Sequence, residues 1–348
     1  MAYTTVNKST DHFNPKLYTG TGSTQSITGV GFQPDWTWIK NRSTTHDHIL
    51  TDVVRGVTKD LRSNNTDAEA TDSNGLTAFG ADGFTVGSKV NINNNGSNIV
   101  SWNWKAGGTG SANTDGTISS TVSANTTAGF SIVSYTGTGS AGTVGHGLGS
   151  APAVIITKTR TGATEQWFSH WSVLGTGNFM KLDQNVAAGT NATAFPWNPQ
   201  ASTFGLSTDG ATNTNGRTYI AYCFAEKTGY SKFGKYTGNG STDGAFVYTG
   251  FRPSWMMIKE SSNAGNEWYI SDGKRSPINA GTASAKVIAA SASGAEESGQ
   301  SYNQFDIVSN GYKVRGDDTR SNGSGRTYIY MAFGQSIVGS NNIPNNAR

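Results

Sequence analysis

The chain has 348 residues, 34% hydrophobic, 14% charged and 45 Gly, with a formal charge of +3. Its length predicts two or three domains, and the mild charge argues against a nucleic-acid partner, which needs a dense Lys/Arg stripe. No apolar run reaches the roughly 18 residues of a membrane span. The single cysteine, Cys223, forbids an intrachain disulfide. The start MAYTTVNKST has neither the basic nor the hydrophobic segment of a secretory signal, so export by that route is not expected. Gly, Asn and Thr are poor helix formers, while aromatics at 11% supply large buried areas, so the composition predicts short strands and tight turns.

Taken along the chain, the first element is a turn, Tyr18-Thr-Gly-Thr-Gly-Ser23, and the phrase Tyr-Thr-Gly-x-Gly-Ser returns at Tyr135 and Tyr236. A proline follows each (Pro34, Pro152, Pro253), then an apolar run ending in lysine: WTWIK at 36–40, VIITK at 154–158 and WMMIK at 255–259. Next comes a ring, His48, Trp167 or Trp268, and each unit closes on an aromatic strand that starts at Gly96, Gly216 or Gly325. The pattern predicts an all-β fold of three tandem antiparallel β-sandwich repeats of about 100 residues each. Their bounds are 1–108, 128–229 and 230–340, with a Gly/Ser/Thr-rich linker at 109–127 and a polar tail at 341–348. Within the linker, TISSTVS (117–123) is also able to pair as an edge strand. The linker lets the first repeat hinge, whereas only Lys227–Gly229 separate the second from the third, which are expected to dock closely.

Period-2 positions in a strand share a side of the sheet. In the closing strands one side carries Val100/Ile220/Ile329, Trp102/Tyr222/Met331 and Trp104/Phe224/Phe333, large throughout, and reads as core. The other, with Ile99/Tyr219/Tyr328, Ser101/Ala221/Tyr330 and Asn103/Cys223/Ala332, is mixed and reads as half covered. Lys40, Lys158 and Lys259 read as snorkelling strand ends. Short helices are expected only at 47–56 and 283–291.

Little catalytic chemistry is visible. Nucleophile elbows, phosphate loops and zinc-protease motifs are missing, and no paired acids support a polysaccharide depolymerase. His46-Asp47-His48 has metal-ligand residue types, but a solvated or hydrogen-bonded pair is the plainer reading, so no metal and no cofactor are assigned. Asp67, Glu69, Asp72 and Asp317-Asp318 match no calcium loop and read as solvated loops. The candidate binding positions are therefore the rings His48, Trp167 and Trp268, for which core or interface packing is the rival reading. The loops before the closing strands join them: Asn93, Asn94 and Asn95; Asn213 and Asn215; Asp317, Asp318 and Asn322. Arg217 and Arg326, which open two closing strands, are interface candidates, with stacking over a neighbouring Tyr as the alternative.

The first unit, HFNPKLYTGTGSTQSITGVGFQPDWTWIKNRSTTHDHILTDVVRG with the DGF turn and the SWNWKAGG end, resembles a module repeated in virion proteins of marine tailed phages. The later units are similar more loosely and depart from VRG and WNWKAGG. This resemblance implies a lectin-like or SPRY-like sandwich on the virion surface, assembled in the host bacterial cytoplasm and displayed in many copies or as a homo-oligomer. Its partners would be other capsid or tail proteins and host-surface glycans, with no nucleic acid and no membrane. The expected role is non-enzymatic, tail-fibre or adhesin-like host attachment. Because the chain lacks a heptad shaft and a collagen-like repeat, a capsid decoration or head-fibre role is the alternative.

Overall fold

The computed structural model describes residues 3–162, 164–276, 279, 285–299 and 305–336. It is almost wholly β, in several antiparallel sheets. One strand order recurs. In the first repeat the opening strand Phe13–Thr19 pairs with the closing strand Asn98–Trp104, which pairs with the lysine strand Trp36–Asn41, which pairs with Ile49–Asp52. Phe130–Thr136, Thr218–Phe224, Val154–Thr159 and Phe168–Trp171 follow that order in the second repeat. Ser231–Thr237, Thr327–Gln335, Arg252–Glu260 and Tyr269–Asp272 follow it in the third. A smaller sheet accompanies each: Gln25–Thr28 with Gly83–Val86 and Leu76–Gly80, Gly142–Gly145 with Thr203–Leu206, and Phe246–Tyr248 with Gly311–Val314 and Phe305–Val308.

The segment expected to be a linker is structural. Ser111–Asn113 and Ser120–Asn125 extend the second repeat's main sheet, pairing outward from its opening strand and helping to bring it to 8 strands. Sequence explains why this edge is covered. The second opening strand, FSIVSYT, carries no charge and buries Phe130–Val133, so an exposed edge there would invite aggregation. Its counterparts FNPKLYT and SKFGKYT carry Pro15 and Lys16, or Lys232 and Lys235, residues that discourage further pairing.

The expected helices are also corrected. Residues 49–52 form a strand followed by a turn, and the described part of 283–291 contains the strand Lys286–Ala289. Short helical turns instead precede the first two closing strands, at Val90–Asn93 and Gly210–Asn213. The polar tail at 341–348 lies outside the described residues.

Both sides of the closing strands are buried, and the mixed side is the sandwich interior. Tyr219, Ala221 and Cys223 share a cluster with Val144, Phe204 and Leu206 of the small sheet. Ile99 likewise meets Ile27, Phe84 and Val86, and Tyr328, Tyr330 and Ala332 meet Val247, Tyr312 and Val314. The large side, in the first two repeats, packs one repeat against the other: Trp36 stacks on Tyr222 with centroids 4.3 Å apart and lies 5.7 Å from Phe130. Size alone misled the reading of faces, because a contact between two sheets from different repeats buries rings as thoroughly as an internal core.

The chain therefore divides into two compact units. One comprises Thr10–Asp183 and Gly189–Ala225, so the first repeat does not hinge away from the second. The other contains the third repeat, the N-terminal residues to Ser9 and the strap Gln184–Ala188. In it, Ser9 donates its backbone N–H to Gln335 Oε1 at 2.7 Å, and the strap pairs with the third repeat through Ala188 N to Ser261 O at 2.9 Å and Gly265 N to Asn185 O at 2.8 Å.

Candidate functional site

The repeated phrase and the loop before each closing strand form one rigid corner. Tyr18, Tyr135 and Tyr236 donate their hydroxyls to the carbonyls of Ile92, Thr212 and Ser321 at 2.7, 2.8 and 2.7 Å. In each corner a buried asparagine ties the two loops together. Asn93 accepts from Thr21 N at 2.8 Å and donates to Ser23 O and Gly87 O; Asn213 accepts from Thr138 N at 2.9 Å and donates to Ser140 O and Ser207 O. Asn322 accepts from Asn239 N at 3.0 Å and donates to Ser241 O and Gly316 O. The first Gly of the phrase is required by close approach: a Cβ on Gly20, Gly137 or Gly238 would lie 2.2, 2.3 or 2.4 Å from a backbone oxygen of the facing loop.

Asn93, Asn213 and Asn322 are thus fully buried struts, which corrects their assignment as binding residues. The turn tips they brace do reach solvent: Asn95, Asn215 and Asp317 are exposed, and Asn94 and Asp318 half-buried. Asn94 Nδ2 bonds Ser97 Oγ at 2.8 Å, and the Asp318 carboxylate accepts from Arg320 N at 2.8 Å.

The three rings are in the interior, so their role as ligand stackers is withdrawn in favour of core packing. His48 is 0% exposed, and its Nδ1 accepts the Trp38 indole N–H at 2.8 Å. Trp167 donates its indole to Arg62 O at 2.7 Å, and Trp268, 1% exposed, donates its backbone N–H to Ser291 Oγ at 3.0 Å. Among the described residues no group of three His, Cys, Asp or Glu is placed to hold a metal ion. Asp67 pairs with Arg62 at 2.6 Å, Asp72 with Lys89 at 2.8 Å and Glu69 with Arg160 at 3.0 Å, so these are ion-paired, not simply solvated loop acids.

The lysines do not snorkel. Lys40, Lys158 and Lys259 are at most 1% exposed, and their amino groups donate to backbone carbonyls: Lys40 to His46 O at 2.7 Å, Lys158 to Thr66 O at 2.8 Å and to Glu165 O, Lys259 to Glu260 O at 2.7 Å. Burial, which disfavours the charged form, lowers each to about 8. The arginines make ion pairs within their own repeats, Arg217 to Glu165 at 3.4 Å and Arg326 to Glu260 at 3.0 Å. Both stay half-buried.

Two features escaped the sequence reading. Four residues after the ring, Asp52 and Asp272 make buried ion pairs with Arg55 and Arg275 at 2.5 and 2.6 Å, each arginine also reaching a second acid, Glu69 or Glu296. The recurring Asp-x-x-Arg at a fixed distance from the ring was the available signal. The second is on the small sheets. Buried Ile27, Val144 and Val247 pair with Phe84, Phe204 and Tyr312, so their flanking residues correspond. Those flanks are Ser26 and Thr28 in the first repeat and Thr143 and Gly145 in the second, but Phe246 and Tyr248 in the third, 50% and 60% exposed.

One family model, described as a domain of unknown function (DUF7483), matches residues 8–336. The chain belongs to the DUF7483 family. No curated protein and no solved structure matches it. The DUF7483 match runs through all three Tyr-Thr-Gly corners. Among the described residues of this DUF7483 protein, the braced turn tips and the third repeat's aromatic pair face solvent. No helix among the described residues is long and apolar enough to cross a membrane.

Proposed function

We propose that this DUF7483 protein is a non-enzymatic component of a phage virion surface that attaches the particle to host-surface glycans. The observation that carries the reading is the corner built three times over: an exposed tip of Asn, Thr, Ser and Gly on a backbone locked from beneath by a buried asparagine. Side chains with fourfold hydrogen-bonding capacity, held on a pre-ordered backbone, lose little entropy on meeting sugar hydroxyls. Three such tips per chain, and many chains per particle, turn weak contacts into avidity. The side chains best suited to catalysis, His48 and the three lysines, are spent on internal hydrogen bonds, which favours a binding role. The placement on a virion rests on the resemblance of the first repeat to marine-phage modules.

The test incubates labelled protein with host cells and, separately, with particles lacking it. Saturable cell binding that free surface polysaccharide abolishes is the expected result. Saturable reattachment to capsids with no cell binding would replace attachment by the decoration role.

A further inference from the structure

The outward side of the third repeat's small sheet differs from its counterparts in kind. Phe246 and Tyr248 point outward on an edge strand, with Lys313 opposite Phe246 and Gly311 opposite Tyr248. A Cβ on Gly311 would lie 2.1 Å from Val247 O, so no side chain stands on the strand beside the Tyr248 ring. Tyr3, 41% exposed, closes the other flank: its hydroxyl donates to Gly250 O at 2.9 Å, and a Cβ on Gly250 would meet the Tyr3 and Tyr248 hydroxyls at 2.9 and 3.6 Å. The exposed Asn310 borders the same spot, its carbonyl accepting from the N–H groups of Thr249 and Gly250 at 3.0 and 3.1 Å. The charges nearby are already matched, Lys313 with Asp243 at 2.9 Å and Arg315 with Asp306 at 2.6 Å.

We propose that Tyr248, flanked by Tyr3, Phe246 and Asn310, is a stacking site for a neutral hexopyranose of the host-surface glycan. This rests on the attachment reading above and gives it an address. An exposed ring with a glycine opposite it on the next strand and a second phenol at its other flank suits the apolar face of a sugar ring whose hydroxyls point sideways. Matched charges leave no preference for an ionic ligand. On the neighbouring strand the rings face Lys313 and Gly311 and not further apolar side chains, unlike the continuous apolar patch of a protein-docking surface.

The full chain is run by affinity electrophoresis through native gels containing a soluble glucan, galactan or mannan. Retardation of the parent protein in at least one gel is expected, with apparent Kd raised about tenfold by Tyr248→Ala and by Phe246→Ala, the scale of one lost aromatic contact. Tyr248→Phe, which keeps the ring, is expected to restore most of the binding, and Ser26→Ala/Thr28→Ala, at the matching positions of the first repeat, to change nothing. No retardation in any gel, or equal retardation of the parent and Tyr248→Ala, overturns the site. Loss of particle reattachment in Tyr248→Ala with gel mobility unchanged also overturns it, in favour of a docking surface. Host cells bound equally by the parent and Tyr248→Ala would remove the site and leave attachment standing, whereas a parent protein that binds no cells removes attachment itself.

Discussion

The first and second repeats solve the same packing problem with opposite chemistry. Opposite the first tryptophan of the lysine strand, Trp36, the first repeat places Asp52, whose carboxylate is buried on Arg55 and also accepts the Tyr222 hydroxyl at 2.8 Å. Opposite the equivalent Val154 the second repeat places Trp171, with Leu174 where the arginine would be. The third returns to the charged form with Asp272 and Arg275. By contrast, the corner asparagine and the strand-end lysine are identical in all three. The difference teaches that the position opposite the lysine strand accepts either a hydrophobe or a complete ionic network, while the corner asparagine, which ties two loops together through three backbone groups, is kept unchanged.

The largest expected effect tests the charged solution. Arg55→Ala strands a buried carboxylate and should cost about 3–5 kcal/mol in chemical denaturation. Asp52→Leu/Arg55→Leu, which imitates the second repeat, should cost less than the single change. A larger loss in the double variant would show that the two solutions are not interchangeable.

Next in size is a position where the repeats agree. Asn213→Leu leaves Thr138 N–H and two carbonyls without their partner and should destabilise by about 2–3 kcal/mol. Stability within error of the parent would break the account of the corner.

The lysines predict a pH dependence. Their folded-state value of about 8 lies below the ordinary 10.5, so above about pH 8 the folded chain has released protons that the unfolded chain still holds. Stability therefore rises with pH from about 8, and is opposed from about pH 9 upward by Cys223, whose thiol burial pushes up so that the folded state retains its proton. Thermal melts between about pH 7.5 and 9 should show Tm climbing, with a shallower climb in Lys259→Met. A flat profile in the parent would mean that the amino groups stay charged in the fold.

The smallest effect on stability belongs to the tips. Asn95→Ala and Asn215→Ala should change unfolding free energy by no more than about 0.5 kcal/mol, yet lower cell binding when combined. Unchanged cell binding would move recognition away from the corners.

Much of the fold was legible because repetition inside one chain separates pattern from accident. Strand positions, the tight turns and the all-β class follow from the recurring phrases. The site was less legible. Asn93 and Asn95 are the same residue type two positions apart, yet one is a strut and the other a tip, since Asn93 is held between the 18–23 turn and Gly87. Lys158 looked like a strand end in water, and the Thr66 carbonyl that meets its amino group is remote in the chain. Phe246 and Tyr248 drew no notice because exposure is not written in residue type.

Sequence by itself therefore determined local geometry: where glycine permits close approach, where alternation makes a strand, and which phrases repeat. Tertiary structure alone decided which side of each sheet is the sandwich interior, which repeats merge into one unit, and which polar groups meet solvent. The physical reason is that backbone conformation depends on neighbours in the chain, whereas burial depends on surfaces brought together from residues as far apart as Trp36 and Tyr222.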